Sequence, residues 1–317
     1  MDRKVTPTIE GGLLVAITVI LCLVAVYVPV LGILVEFFCA VPIAVLTARQ
    51  GAGKGFTALT VAGILLAMLL GPIGALRLVL SFGICGVALG WCVRKNFTAV
   101  KIFLTVLIVA SAAQILSIAL LLVLMDVNFI EMQIELLRES FAESFSMYET
   151  LGVDKARIAE SKEQVESGLE ALSLLMPTLI MLSSLMNTAA VWFTSKWIFP
   201  KLQMNLPQFP PFAQWKFPSI FLYVAAFGAI GMYWGFTRGW TQIYEIAVNL
   251  TIAAMLVGLV QGLSLLSFVF DKYNVSKFLR RLIYVLILLN MFFAQLVAVT
   301  GLIDMLFDYR KKLADGR

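Results

Sequence analysis

The chain has 317 residues, of which 61% are hydrophobic and 14% charged, with a formal net charge of +5. That polar complement is too small to clothe a water-soluble core of this size, so a soluble globular fold is excluded and an all-α, polytopic transmembrane helix bundle is expected. Histidine is absent, and Cys22, Cys39, Cys85 and Cys92 lie in or beside apolar blocks without C-x-x-C spacing. This pattern argues against a metal, a cofactor or an enzymatic centre and for cysteines that serve as small buried apolar side chains.

Met1–Lys4 followed by an apolar stretch has the outline of a signal peptide, but no small-x-small cleavage site follows, so it reads as a retained first span. Apolar blocks then predict nine spans, at 9–28, 30–48, 55–71, 73–93, 98–125, 171–198, 218–236, 243–270 and 282–308. With the N-terminus cytoplasmic, fourteen Lys and Arg residues fall inside, and Arg238 alone falls in the short outer loops. This asymmetry is the signature of a multi-pass protein of the bacterial inner (plasma) membrane. Nine spans leave the basic tail, with Arg310, Lys311, Lys312 and Arg317, outside; omitting 218–236 restores it but expels Lys272, Lys277, Arg280 and Arg281. Charge alone leaves eight and nine spans both open.

Residues 126–170 hold eleven acidic and four basic residues, leaving twenty basic and eight acidic elsewhere. The basic residues sit at span ends rather than among exposed aromatics, so nucleic acid is not an expected partner. Within the acidic stretch Ile130, Ile134, Leu137, Phe141, Phe145 and Tyr148 share one helical face and Glu131, Glu135, Glu139 and Glu143 another, which predicts an amphipathic outer helix. Five prolines between Phe199 and Pro218 forbid a continuous helix and predict an ordered cytoplasmic strap. The resulting organisation is a six-span bundle over 1–198 that includes the acidic insertion 126–170, a proline-rich strap over 199–217, and a two- or three-span accessory region over 218–317.

Few residues carry candidate chemistry. Gly51–Thr57 resembles a phosphate loop but has Ala48 and Gly55 where the pattern needs Gly and Ser or Thr. Small residues recur four apart as Gly12 and Ala16, Gly63 with Ala67 and Gly71, Gly86 and Gly90, Gly231 and Gly235, and Gly258 and Gly262, each able to bring two helix backbones together. A charge at a span centre costs roughly 2.5–3.5 kcal/mol on insertion scales and calls for a partner. Glu36 and Arg77 lie at matching depth below the outer end of their spans, about 7–9 Å at 1.5 Å per residue, and are expected to pair. They form a candidate polar floor for an outward-facing ligand site, with Gln114 and Asn187 as further ligand-binding candidates. Asp304 reads as a span-end residue.

The opening IEGGLLVAITVILCLVAVYVPVLG, the turn ARQGAGKGF, the block LLGPIGALRLVLSFGICGVALGWCVRK and the later NLPQFPPFAQWKFP together resemble the YybS-like family of bacterial multi-span membrane proteins (domain of unknown function 2232) over nearly the whole chain. The first six spans are also similar to the substrate-binding S component of energy-coupling-factor transporters. That resemblance implies an outward ligand site for an unknown small molecule and a small-residue contact on the first helix, here Gly12 and Ala16, with a membrane coupling subunit. The expected function is therefore a small-molecule-binding transporter subunit or sensor. The alternative is a non-transporting scaffold that holds a cell-envelope or division protein. Polar groups converging on a cavity would favour the first, and a solid bundle with an exposed apolar face the second.

Overall fold

A glycine followed by proline inside an apolar block is where a helix turns, since proline removes an amide from the ladder and glycine alone takes positive φ without strain. The computed structural model, which describes residues 7–28, 30–125 and 128–314, turns at such a place, Gly71–Pro72. Arg3, Lys4, Asp126 and Arg317 lie outside the described residues. All regular elements of the described residues are helical, and they group into two units, one of residues up to 165 with 179–208, the other of 166–178 with 209–317. The division falls inside the proline-rich strap, between Gln208 and Phe209.

In the first unit α1 (Pro7–Tyr27) leads to two short helices, α2 (Leu31–Glu36) and α3 (Val41–Gln50). The expected span 30–48 is thus broken: Glu36 ends α2, tight turns tie the Phe38, Cys39 and Val41 amides three residues back, and α3 restarts with Pro42 in its first turn, where a missing amide costs nothing. α4 (Ala52–Leu78) reverses at Gly71, whose φ of 80° and ψ of 164° no helix contains. Its limbs pack antiparallel, because a Cβ on Gly63 would meet Val79 and one on Gly83 would meet Leu59. Along a straight helix Leu59 and Gly83 would stand about 36 Å apart. The apolar run Ala52–Arg94 therefore contains both limbs expected at 55–71 and 73–93, the second passing through a π-helical turn at Val79–Gly83 into α5 (Ile84–Arg94).

α3 is the centre of this unit, with Val41, Ile43, Ala44, Val45 and Leu46 no more than 2% exposed. It lies parallel to α5 because Gly86 and Gly90 seat their backbone against the Ala40 and Ala44 carbonyls, where a Cβ would come within 2.4 and 2.3 Å. After α6 (Ala99–Met125) the acidic segment forms α7 (Phe129–Thr150), its first amides capped by Asn128, and a turn at Leu151–Gly152 leads into α8 (Lys155–Ile198), capped by Asp154. On α7 the expected apolar face is buried at Ile134 and Phe145, while Phe141 and Tyr148 stay exposed. α8 is 44 residues long, so the span expected from 171 is the continuation of a helix that starts in the acidic segment.

In the second unit α9 (Ile220–Arg238) and α10 (Thr241–Lys272) form an antiparallel hairpin whose close seam is Gly228, Gly231 and Gly235 against Thr251, Ala247 and Tyr244. Residues 166–178 of α8 belong here too, and Pro177 interrupts their ladder. Asn249 repairs the gap: its Oδ1 accepts the Thr178 amide at 3.1 Å and its Nδ2 donates to the Leu174 carbonyl at 2.8 Å. The expected span 282–308 is two helices, α11 (Lys277–Leu289) and α12 (Met291–Phe307), bent by 104°. The break falls at Asn290, whose side chain leaves the ladder to accept the amides of Phe292 and Phe293. A short α13 (Tyr309–Ala314) closes the described chain. Among the described residues six apolar helical runs are long enough to cross a membrane, counting the reversed run Ala52–Arg94 as one, or seven if the bent pair is one span.

Candidate functional site

The first unit concentrates its polar contacts at one end. Arg94 donates to the Ala48 carbonyl at 3.3 Å and the Arg49 carbonyl at 2.7 Å, closing the end of α3. Arg49 in turn pairs with Glu10 and donates to the Leu202 carbonyl at 3.1 Å, while Gln50 donates to the Pro7 carbonyl at 2.9 Å. The start of α1, the ends of α3 and α5 and the residues after α8 thus meet, as alternating crossings require.

Away from that end, Glu36 and Arg77 come together as expected, with Oε1 and Nη2 4.0 Å apart. Arg77 is 74% exposed and Glu36 27%, so this pair sits on the surface of the unit rather than within it. Asn187 is held elsewhere: its Nδ2 donates to the Ser81 carbonyl at 2.6 Å, a carbonyl inside the π-helical turn, and lies 3.9 Å from Cys85 Sγ. The wider π ring leaves carbonyls free for such side-chain bonds. Asn187 Oδ1 is buried with no hydrogen-bond partner among the described residues. Gln114 is half-buried on α6 and no hydrogen bond links it to the Glu36–Arg77 pair. Among the described residues the four ligand-binding candidates share no hydrogen bond beyond the Glu36–Arg77 contact.

One cavity of the first unit lies beside the π-helical turn, lined by Thr18, Cys22, Cys39, Leu66 and Phe82 among others, with about 10 Å³ of space, and a more open one of about 280 Å³ lies between α7 and α8, lined by Phe145, Tyr148 and Arg157 among others; the first is the tighter. The tighter has room for about one water molecule. Among the described residues no three Cys, Asp or Glu gather where they could share a metal ion.

The small-residue pairs divide sharply. A Cβ at Gly86, Gly90, Gly231, Gly235, Gly258 or Gly262 would collide with a neighbouring helix at 2.9 Å or less. A Cβ at Gly12 would meet nothing within 4 Å. Gly12 and Ala16 share the exposed side of α1 with Leu13 and Ile17, while Val15, Thr18, Val19 and Cys22 face inward.

Residue patterns did not single out the polar core of the second unit. Gln261, wholly buried, accepts the Phe217 amide at 3.0 Å and donates to Asp304 Oδ2 at 2.6 Å. Asp304 Oδ1 accepts the Tyr309 amide at 3.0 Å, and Arg310 Nε stands 3.6 Å from Asp304 Oδ2. Arg310 also donates to Ser264 Oγ at 3.0 Å and the Ala213 carbonyl at 2.7 Å, and Ser264 donates to the Phe212 and Trp215 carbonyls. Burial lowers the Arg310 pKa, with the Asp304 and Asp308 charges opposing that shift. A hydrogen bond from Lys216 at 2.6 Å holds the Asp308 carboxyl below its ordinary value. Together these groups bolt residues 212–217 of the strap to α10 and to the end of α12. The available signal was a Gln and an Asp inside apolar blocks, each costly without a partner.

A helical chain with these apolar limbs matches one family model, that described as predicted membrane protein (DUF2232), over residues 16–305. The chain belongs to that family. Its DUF2232 region takes in both units and the strap between Ile198 and Pro218. The uncharacterized protein YybS of Bacillus subtilis (strain 168) is 22% identical over 315 residues, 98% of this chain and 99% of that protein. No solved structure matches the chain significantly.

Proposed function

We propose that this integral membrane protein is a helix-docking scaffold, and that the Gly12/Ala16 face of α1 receives a helix of a partner membrane protein. The observation that carries this reading is the contrast between Gly86, Gly90, Gly231, Gly235, Gly258 and Gly262, which packing within their units consumes, and Gly12, where a Cβ would meet nothing within 4 Å and which shares the exposed side of α1 with Ala16. Small residues allow backbones to approach closely, and in lipid that close packing is a main source of helix association. The Lys and Arg asymmetry supports an inner-membrane protein with a cytoplasmic N-terminus, so the docking face lies near the cytoplasmic leaflet.

A small-molecule-binding transporter subunit or sensor is the second reading. It rests on the Glu36–Arg77 pair, two opposite charges 4.0 Å apart on the unit's surface, and would use the same α1 face to meet a coupling subunit.

A photoreactive residue at Ala16 tests the docking function in the living membrane, with one at Ile64, 57% exposed, as the lipid-facing control. Position 16 is expected to crosslink to one defined membrane polypeptide and position 64 to lipid. Lipid adducts alone at both positions would contradict the proposal.

A further inference from the structure

The bent pair α11–α12 settles where the basic tail goes relative to the basic turn before α11. Both ends of the pair are fastened to the same end of the second unit: Lys272 Nζ bonds the Leu313 carbonyl, Lys216 pairs with Asp308 at 2.6 Å, and Arg310 donates to the Ala213 carbonyl of the strap. A single straight span from 277 to 307 would have carried Asp308 and Leu313 to the opposite end. The 104° bend at Asn290 brings them back instead.

We propose that α11–α12 is a re-entrant pair, and that the tail and the 271–281 turn together form one cytoplasmic surface that binds anionic phospholipid headgroups. Residues 271–281 and 308–312 hold seven basic and two acidic residues. Both acids are already engaged, Asp271 by Arg280 and Asp308 by Lys216 and Lys311. Lys272, Lys277, Arg281, Lys311 and Lys312 are exposed, and Lys311 is 81% so. Aromatic rings sit among them, with Lys312 5.2 Å from the centre of Phe307 and Lys272 5.8 Å from that of Tyr273, the pairing that membrane interfaces favour. An excess of cations beside interfacial rings, at the end of an apolar unit, is complementary to the anionic cytoplasmic leaflet. Re-entry also removes the conflict in the charge rule, because the tail and the 272–281 cations now share one side of the membrane.

The test uses full-length protein in detergent, with bound lipids counted by native mass spectrometry during titration with phosphatidylglycerol or phosphatidylcholine. Wild type is expected to hold phosphatidylglycerol at least tenfold more tightly. The variant Lys277→Gln, Arg281→Gln, Lys311→Gln, Lys312→Gln should lose that preference, and Lys54→Gln, Lys101→Gln should keep it. No preference in wild type, or one undiminished in the fourfold variant, overturns the lipid surface. The re-entrant path is read separately with Lys312→Cys in a cysteine-free background. A membrane-impermeant maleimide should label it only after the cells are opened, and labelling on intact cells overturns re-entry.

Discussion

The two units solve the problem of helix packing in lipid differently. Around α3 the first unit is held by apolar burial and by glycines seated on carbonyls, with its charges at the periphery, as in Arg49–Glu10 and Glu36–Arg77. The second unit carries charge inside: Asp304 is 1% exposed and Arg310 11%, and both are tied through Gln261 and Ser264 to the strap. A buried ion pair is a poor source of net stability compared with apolar packing, but it fixes one arrangement, because each member is costly when left alone. The comparison teaches that residues 212–217 of the strap are held in register on the second unit by polar bonds, which apolar contacts could not specify.

The largest effect that could break this comparison comes from Asp304→Ala, which strands Arg310 and Gln261. A loss of about 3–5 kcal/mol is expected, enough to prevent accumulation of folded protein, with part of it recovered in Asp304→Ala, Arg310→Leu. Fluorescence-detected size exclusion reads both, and an additive double variant would show that the two groups do not act together. Next comes Gly301→Leu, since a Cβ there would lie 2.0 Å from the Gly258 carbonyl oxygen. A cost of roughly 1–3 kcal/mol or more is expected as a lower melting temperature, against no change for Gly12→Leu. In the first unit the exposed Glu36–Arg77 pair should show a coupling of only about 0.2–1 kcal/mol in a double-mutant cycle with Gln at each position. A coupling of several kcal/mol would mean that the pair is buried in the membrane and that the contrast between the units is weaker than described.

The smallest effect is a pH dependence carried by Asp308 of the second unit. The Asp308 carboxyl is held low chiefly by the hydrogen bond from Lys216, so its contribution is present above the unfolded carboxylate pKa of about 4. It is lost as the pH falls through the still lower folded value. Wild type should therefore lose thermal stability below about pH 4, and Lys216→Gln should flatten that part of the profile. An unchanged profile would show that the strap is not fastened through Asp308.

Much of the architecture was legible because lipid imposes it. The apolar blocks located the helices, the boundary between the blocks 55–71 and 73–93 fell on the reversal at Gly71–Pro72, and matching depth paired Glu36 with Arg77. What escaped were local breaks inside apolar blocks and features set by partners distant in the chain. The break at Phe37–Ala40 follows no glycine, and the bend at Asn290 lies in an apolar block that otherwise reads as one span. Pro177 is an expected helix breaker that fails to break α8, because Asn249, some seventy residues on, supplies the missing bonds. Gln261, Ser264 and Arg310 are unremarkable one by one, and only folding makes them a cluster. Among the ligand candidates, depth along a span was readable but azimuth was not, so Gln114 and Asn187 could not be told apart from residues serving helix contacts. The same limit applied to Gly12 and Ala16: spacing showed a face, and only the fold showed that nothing in its own unit fills it.

The docking face of α1 is tested most directly by the double variant Gly12→Leu, Ala16→Leu, with a photoreactive residue at the adjacent exposed Leu13 reporting the partner. The purified protein should keep its melting temperature while the crosslink to the partner polypeptide is lost. A variant that melts earlier, or one that still crosslinks at the wild-type yield, would contradict a partner helix seated on these two residues.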